Sequence, residues 1–269
     1  MKNNALRIAI AALSAGLMCG VAGMAQDFQK SYTLGPDGVI RIRSISGEIR
    51  VQGYDGNKVE VDGVKVGRNR DLVEIVDRSA GNRIDVDVRY PENCNCDASV
   101  NYRVRVPHDV KYNFELIRSI SGNVYLSDVT GSVKAESISG LVQLQNIAGV
   151  VSASSTSGDV NVQNVSGMVS ASSTSGNVDV YLKQIEGPGD MEFRSISGSV
   201  HVRVPPDLDA NVTMSTLSGR LTTDFDIEVL QRRYAPGYSA RGRLGAGTHN
   251  IRITSVSGRV SLVKDVGKD

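Results

Sequence analysis

Residues 122–176 read GNVYLSDVT GSVKAESIS GLVQLQNIA GVVSASSTS GDVNVQNVS GMVSASSTS G when the chain is broken before each glycine of this stretch. Seven glycines recur here every nine residues: Gly122, Gly131, Gly140, Gly149, Gly158, Gly167 and Gly176. Apolar residues stand two and four positions after each glycine, and bulky units alternate with slim ones. The full repeat is therefore eighteen residues long. A fixed period of this kind is typical of stacked repeat architectures.

Apolar and polar side chains alternate within each unit, which is the two-residue period of a strand and not the 3.6-residue period of a helix. Strands stacked about 4.8 Å apart would place equivalent residues above one another. Two inward columns are expected: Ala135, Ala153 and Ala171 in one, and Val124, Val142, Val160 and Val178 in the other. We also expect Thr156 and Thr174 to point partly inward, and the glycines to form the corners.

These features predict an all-β fold, a β-solenoid or single-stranded β-helix of about 18-residue coils, with its repeat core at residues 111–223. Residues 26–110 predict an N-terminal antiparallel β cap that is continuous with the solenoid, because short alternating runs are separated there by turn signals. Residues 224–250 form an insertion loop in this interpretation, and residues 251–269 supply C-terminal capping strands.

The outward side of the repeat is polar and almost uncharged. Between Ser137 and Val178 the single charged residue is Asp159. One interpretation is that small polar residues fit tight turns. The other is a flat, hydrogen-bonding interaction face, for which the candidates are Ser152, Ser154, Gln163, Ser170 and Ser172.

Residues 1–25 have the features of a secretory signal peptide. Lys2 and Arg7 precede an apolar run over residues 8–21, and Gly23-Met24-Ala25 provides a small-x-small cleavage site. The run is short for a membrane span, so no transmembrane span is expected in the mature chain. The signal predicts an exported protein, periplasmic or extracellular at the cell envelope. Cys19 leaves open the alternative of a lipid-modified product.

The charge balance excludes some partner classes. Without residues 1–25 the chain carries 28 Lys and Arg against 29 Asp and Glu. This near neutrality argues against nucleic acid and against anionic membrane surfaces, both of which select clustered basic charge.

Cys94 and Cys96 remain in the mature chain with one residue between them. In an oxidising compartment they could form a disulfide, although so small a ring is tight. The alternatives are two surface thiols, or a metal or redox site. That last role needs further ligands or an acidified thiol, and His108 is the histidine nearest in sequence.

The phrase Arg-Ser-Ile-Ser-Gly occurs at residues 43–47, 118–122 and 194–198, which suggests one continuous ladder whose outer coils carry insertions. These repeats, Val106-Pro107 before the second copy, and Thr254-Ser-Val-Ser-Gly-Arg-Val260 after a glycine-rich stretch resemble the bacterial putative-adhesin family, which is similar to the head GIN domains. The resemblance covers nearly all of the mature chain. It implies a secreted or envelope β-solenoid of unknown function and supplies no catalytic residues.

The sequence lacks the residue patterns that calcium sites and nucleophilic catalysis require. Asp128, Asp159 and Asp179 stand at different offsets from their glycines, so no column of carboxylates is expected for calcium. The three histidines, His108, His201 and His249, lie in separate segments without a nucleophile motif. We therefore predict no catalytic residues, no metal and no cofactor.

The predicted function is a secreted, non-enzymatic structural or interaction module of the cell envelope, adhesin-like, with an envelope polymer or a membrane protein as partner. The alternative is an envelope-stress or regulatory module that senses a ligand. A more distant alternative is a carbohydrate-active β-helix enzyme.

Overall fold

The computed structural model describes residues 27–187, 189–231 and 236–266. The predicted signal peptide at residues 1–25 lies outside these ranges. The described residues contain strands and one 3-10 helix, Arg70–Leu72. The strands that precede the repeat core are β1 (Phe28–Tyr32), β2 (Val39–Ser46), β3 (Ile49–Tyr54), β4 (Val59–Val66), β5 (Glu74–Asp77), β6 (Arg83–Arg89) and β7 (Ser99–Pro107).

The repeat core and the C-terminal part contain the remaining strands. They are β8 (Lys111–Ser121), β9 (Val124–Ser137), β10 (Val142–Ala148), β11 (Val151–Ser155), β12 (Val160–Ser166), β13 (Val169–Ser173), β14 (Val178–Gln184), β15 (Asp190–Ser195), β16 (Val200–Val204), β17 (Ala210–Ser218), β18 (Leu221–Thr223), β19 (Val229–Gln231), β20 (Tyr238–Leu244), β21 (His249–Ser257) and β22 (Val260–Lys264).

Parallel pairing arranges these strands in two columns. Column A runs β6, β2, β8, the end of β9, β11, β13, β15, β21 and β17. Column B runs β7, β3, the start of β9, β10, β12, β14, β16, β22 and β18. One coil contributes one strand to each column, and the apolar side chains of both columns form a single buried core. The predicted β-solenoid is confirmed.

The eighteen-residue repeat sets the register. Val142 pairs with Val124 on one side and with Val160 on the other. Ala153 pairs with Ala135 and Ala171 in the same way, and all of these side chains are buried. Equivalent residues therefore stack along the solenoid as the sequence predicts.

From β8 onward, one corner of each coil is held by a buried hydroxyl. The Ser155 Oγ donates to the Gly140 carbonyl of the preceding coil at 2.9 Å and accepts from the Gly158 N–H at 3.0 Å. Gly158 has no room for a side chain, since an added Cβ would lie 2.1 Å from the Gly140 oxygen. Hydroxyls of the following residues bond the glycine carbonyl of an adjacent coil in the same way: Ser119, Ser137, Ser173, Ser195, Thr216 and Ser255. This contact explains why Ser-x-Ser-Gly recurs.

The second corner of the coil is formed by residues whose backbone has a positive φ angle. Asn146 has φ 54°, and its amide donates to the Asp128 carboxylate one coil away at 2.7 Å. Gly149, which follows shortly after, has φ 139°. Asn and Gly tolerate such angles better than other residues. The predicted corner glycines thus occupy two kinds of corner.

Thr156 and Thr174 are exposed, so the prediction that they point partly inward is wrong. Ser155 and Ser173 are buried instead. The reason is that the slim strands contain no left-handed residue and keep strict alternation to their ends. The bulky strands shift phase at residues such as Asn146, which brings Ile147 inward.

The N-terminal region departs from the predicted antiparallel cap. β2 and β3 pair in parallel with β8 and β9, so they form an internal coil, and β6 and β7 form the coil outside them. The antiparallel pairs of this region are β4 with β7, β1 with β4, and β5 with β6. These pairs extend the two columns and cover the first coil.

The C-terminal end also differs from the prediction. The strands expected to cap the ladder lie inside it, because β21 sits between β15 and β17 and β22 sits between β16 and β18. The segment expected to be a loop, residues 224–250, contains β19 and β20, which continue column A in antiparallel fashion from β17. Phe225 and Ile227 of the same segment are buried.

Within the described ranges, the structure contains no helix long and apolar enough to cross a bilayer.

Candidate binding trough

Polar side chains form two rows on the outward face of column B, and we call this surface the trough. The first row holds the third residue after each corner glycine: Arg50, Tyr125, Gln143, Asn161, Asp179 and His201. The second row holds the fifth residue: Gln52, Ser127, Gln145, Gln163, Tyr181 and Arg203. Both rows follow from strand alternation, since residues two apart share a face of a sheet.

The trough is hollowed at two places along its length. A depression of about 350 Å³ lies over β12, β14, β16 and β22, and one of about 160 Å³ lies over β3, β9 and β10. The two depressions are neighbours on one face, because β10 pairs directly with β12. The surface is therefore one elongated feature that crosses consecutive coils.

The middle of the trough consists of four primary amides, which we call the amide floor: Gln143, Gln145, Asn161 and Gln163. Gln145 and Gln163 are exposed, whereas Gln143 and Asn161 are half-buried. The Asn161 Oδ1 is buried and accepts no hydrogen bond from a described residue. A buried oxygen without a donor is costly, so this atom is suited to accept a bond from a ligand.

A tyrosine and an arginine lie at the N-terminal end. The Arg50 guanidinium stands 4.7 Å from the centroid of the Tyr125 ring and pairs with the Glu48 Oε1 at 2.7 Å. The Asn123 amide donates to the Tyr125 hydroxyl at 3.1 Å. These contacts fix the ring, which remains half-exposed.

A second tyrosine and arginine lie at the C-terminal end. The Tyr181 hydroxyl donates to the Asp265 Oδ2 at 2.7 Å, and the Arg203 guanidinium is 5.8 Å from the ring centroid. The hydrogen bond to Asp265 raises the pKa of Tyr181, and burial adds to the shift. The phenol is therefore a neutral donor that is already engaged, and the half-exposed ring is the part free to meet a ligand.

Asp179, His201 and Ser261 align on neighbouring strands beside this end. The His201 Nδ1 is 2.5 Å from the Ser261 Oγ. Burial raises the pKa of Asp179, His201 opposes the shift, and Asp159 adds to it. However, no ion pair among the described residues joins Asp179 to His201, and Ser261 is only 4 % exposed. A nucleophilic serine requires a base that is itself oriented by a third group, so the arrangement is incomplete for acyl transfer.

The sequence interpretation missed this alignment because it compared histidines by their distance along the chain. The common signal is the offset from the corner glycine. Asp179, His201 and Ser261 each stand three residues after a glycine, as Asn161 does after Gly158.

The predicted interaction face does not come together as one surface. Ser152, Ser154, Ser170 and Ser172 share the outward face of column A, where β11 pairs with β13. Gln163 lies on β12 in column B and belongs to the trough. The prediction that these five residues form one face is wrong, because successive strands of a coil belong to different columns.

Cys94 and Cys96 lie in the loop between β6 and β7 and line neither depression of the trough. Their Cα atoms are 5.1 Å apart, and the Sγ atoms are joined as a disulfide. Neighbouring Asp97 accepts from the Arg68 Nε at 2.8 Å, so the loop is also held by an ion pair.

In the part of the chain that the structure describes, no three His, Cys, Asp or Glu side chains come together as a metal-ion site. The chemistry of the trough is thus that of amides, phenols, one imidazole and a few separated charges.

Comparison with known proteins supplies a family. The family model described as Toastrack DUF4097 matches residues 40–263. No curated protein matches the sequence. Among solved structures, a putative cell adhesion protein from Clostridium sporogenes is 12% identical, with 88% of this chain and 99% of that chain covered and a TM-score of 0.35. A putative adhesin from Bacteroides fragilis is 10% identical, with 87% and 96% covered and a TM-score of 0.38.

Proposed function

This chain belongs to the Toastrack DUF4097 family, and we propose that it is an exported, non-enzymatic interaction module of the cell envelope that binds an extended polymer along the trough. The family membership agrees with the resemblance read from the sequence. Export rests on the signal predicted at residues 1–25.

The trough is the single observation that carries the proposal. It crosses consecutive coils at a constant spacing, so it offers equivalent positions to successive units of a chain molecule. Its floor is rigid, since each strand beneath it is paired on both sides. Surfaces of this kind on repeat proteins bind extended partners.

The non-enzymatic role is supported by the chemistry of the same surface. His201 and Ser261 form the closest approach to a catalytic pair, and the pair lacks a bonded carboxylate among the described residues. The amide floor contains no group that titrates near neutral pH. The residues of this surface are suited to hydrogen bonding with a ligand, which supports a binding role.

Retention by envelope fractions tests the proposal. The protein secreted by cells that express the full chain is applied to immobilised peptidoglycan, lipopolysaccharide and solubilised membrane proteins. A trough variant carries Gln145→Lys with Gln163→Glu, and a matched variant carries Ser152→Lys with Ser170→Glu. Each double change joins residues that pair in register and leaves the net charge unchanged.

We expect at least one envelope fraction to retain the wild-type protein and the serine variant but not the trough variant. Loss of retention in the serine variant alone would place the binding surface on column A and refute the assignment of binding to the trough. Absence of retention by every fraction would refute the proposed function.

A further inference from the structure

We infer that the trough binds a neutral linear polysaccharide whose successive sugar rings cross successive strands. This inference rests on the proposed function and specifies its ligand class. It is argued from the amide floor, from the two half-exposed tyrosines, and from the backbone pairing beneath them.

The amide floor matches sugar hydroxyls. Each primary amide carries two N–H donors and an acceptor oxygen, and each hydroxyl both donates and accepts. Gln143 with Gln145 and Asn161 with Gln163 repeat this combination on adjacent strands. The buried Asn161 Oδ1, which has no donor among the described residues, provides an acceptor for one such hydroxyl.

The two ends of the trough suit the apolar faces of sugar rings. Tyr125 and Tyr181 are both half-exposed, and each hydroxyl is already hydrogen-bonded within the protein. Arg50 and Arg203 each stand beside one of these rings, and what remains accessible is the ring surface that they leave uncovered, which packs against C–H groups. From β3 to β16 the trough crosses five strand spacings, a span of about 24 Å at about 4.8 Å per spacing. That length accommodates several sugar units.

The trough has no charge pattern that is complementary to a charged polymer. At the N-terminal end Arg50 is paired with Glu48. At the C-terminal end Arg203 is accompanied by Asp179, which has the opposite sign. The four amides between them are uncharged. Steering of an anionic or a cationic chain requires a field of one sign, which these alternating charges do not supply.

An extended peptide is also a poor match. Peptides add to sheets at an edge, where free backbone groups pair with their main chain. The strands under the amide floor have partners on both sides, β9 and β12 for β10, and β10 and β14 for β12. A peptide on this face would therefore leave most of its main-chain groups unpaired.

Titration with oligosaccharides tests the inference. The neutral probes are hexasaccharides of cellulose, xylan, amylose and chitin, and the charged probes are hexagalacturonate and a chitosan hexamer. Side-chain NH₂ resonances report the amide floor, and calorimetry reports the affinity. The variants are the trough pair Gln145→Lys with Gln163→Glu and the matched serine pair Ser152→Lys with Ser170→Glu.

We expect a neutral hexasaccharide to shift the NH₂ signals of the amide floor, and to bind the trough variant about tenfold more weakly or worse because two hydrogen-bonding amides are lost. The serine variant should bind like the wild type, and a disaccharide of the same sugar should bind more weakly than the hexasaccharide.

Binding of the charged hexamers alone at these amides, or no binding by any neutral hexasaccharide, would overturn the inference. Retention by an anionic polymer of the envelope together with that result would leave the proposed function standing. If no envelope fraction retains the protein in the retention experiment, the proposed function itself is refuted.

Discussion

The corner at Gly158 predicts a large effect for the smallest substitution, Gly158→Ala. An added Cβ would lie 2.1 Å from the Gly140 oxygen and 2.5 Å from its carbon. Both are backbone atoms of the neighbouring coil, so neither can rotate away. The coils must separate to admit the methyl group, and that movement stretches the hydrogen bond from the Ser155 Oγ to the Gly140 carbonyl, which joins the two coils.

The magnitude follows from these contacts. Overpacking costs about 1–3 kcal/mol, and the hydrogen bond between the coils contributes about 1 kcal/mol. The lower backbone entropy of alanine in the unfolded chain returns about 0.4–1 kcal/mol. We expect the free energy of unfolding to fall by about 2 kcal/mol for Gly158→Ala. Gly35→Ala is the control, because its Cβ would meet only the Asn82 Oδ1 at 3.8 Å, and we expect a change within about 0.5 kcal/mol.

Urea denaturation followed by circular dichroism measures both variants. Amide hydrogen exchange at Val142, whose N–H donates to the Asp159 carbonyl at 3.0 Å, reports the corner itself. We expect a lower midpoint and faster exchange for Gly158→Ala only. Equal midpoints for the two alanine variants would show that the coils do not approach each other closely at glycine, and the stacking described above would be refuted.

Three further predictions concern stability. Ala153→Leu should overpack the slim inward column and cost about 1–3 kcal/mol, whereas outward Ser154→Leu should cost little; equal thermal midpoints would contradict the inward and outward assignment. Ser155→Ala should cost about 1–3 kcal/mol because it removes the hydroxyl between two coils, and Ser154→Ala, its neighbour, should be nearly neutral in the same melts. Burial alone would raise the pKa of Asp77, but hydrogen bonds from Lys30, Ser79 and Tyr32 outweigh it and lower the pKa to about 2. The charged form therefore stabilises the fold above about pH 4, and this contribution is lost as the pH falls toward 2. Asp77→Asn should destabilise at neutral pH and approach the wild type in acid, and a pH-independent difference in unfolding free energy would contradict this.

The solenoid itself could be predicted because its signal is local and repeated. A glycine every nine residues with apolar residues two and four positions later specifies strand, corner and inward face within each unit. Ala153 and Val142 are buried in the predicted columns for this reason. Family membership follows from the same repeated phrases.

The order of the coils at the two ends could not be predicted. β2 and β3 come first among the coil strands in the chain, yet β6 and β7 lie outside them, and β21 and β22 come last yet lie inside β17 and β18. Nothing local distinguishes an internal coil from a terminal one, because both present the same alternation. The choice depends on long-range pairing that the repeat pattern does not encode.

The trough was missed for a different reason. The sequence prediction places Gln163 with Ser154 because both are polar and close in sequence, whereas the two strands of a coil face opposite ways across the core. Aligning every coil on its corner glycine places Gln163 with Gln145, and His201 with Asp179. This alignment separates the two outward faces and is available from the sequence alone.

Photo-crosslinking from the two outward faces tests the central claim most directly. A photoreactive amino acid replaces Gln163 in the trough in one strain and Ser154 on column A in another, and both strains are irradiated as intact cells. We predict a crosslinked envelope product from position 163 and none from position 154. A product from position 154 alone, or from neither position, would contradict the assignment of the trough as the binding surface.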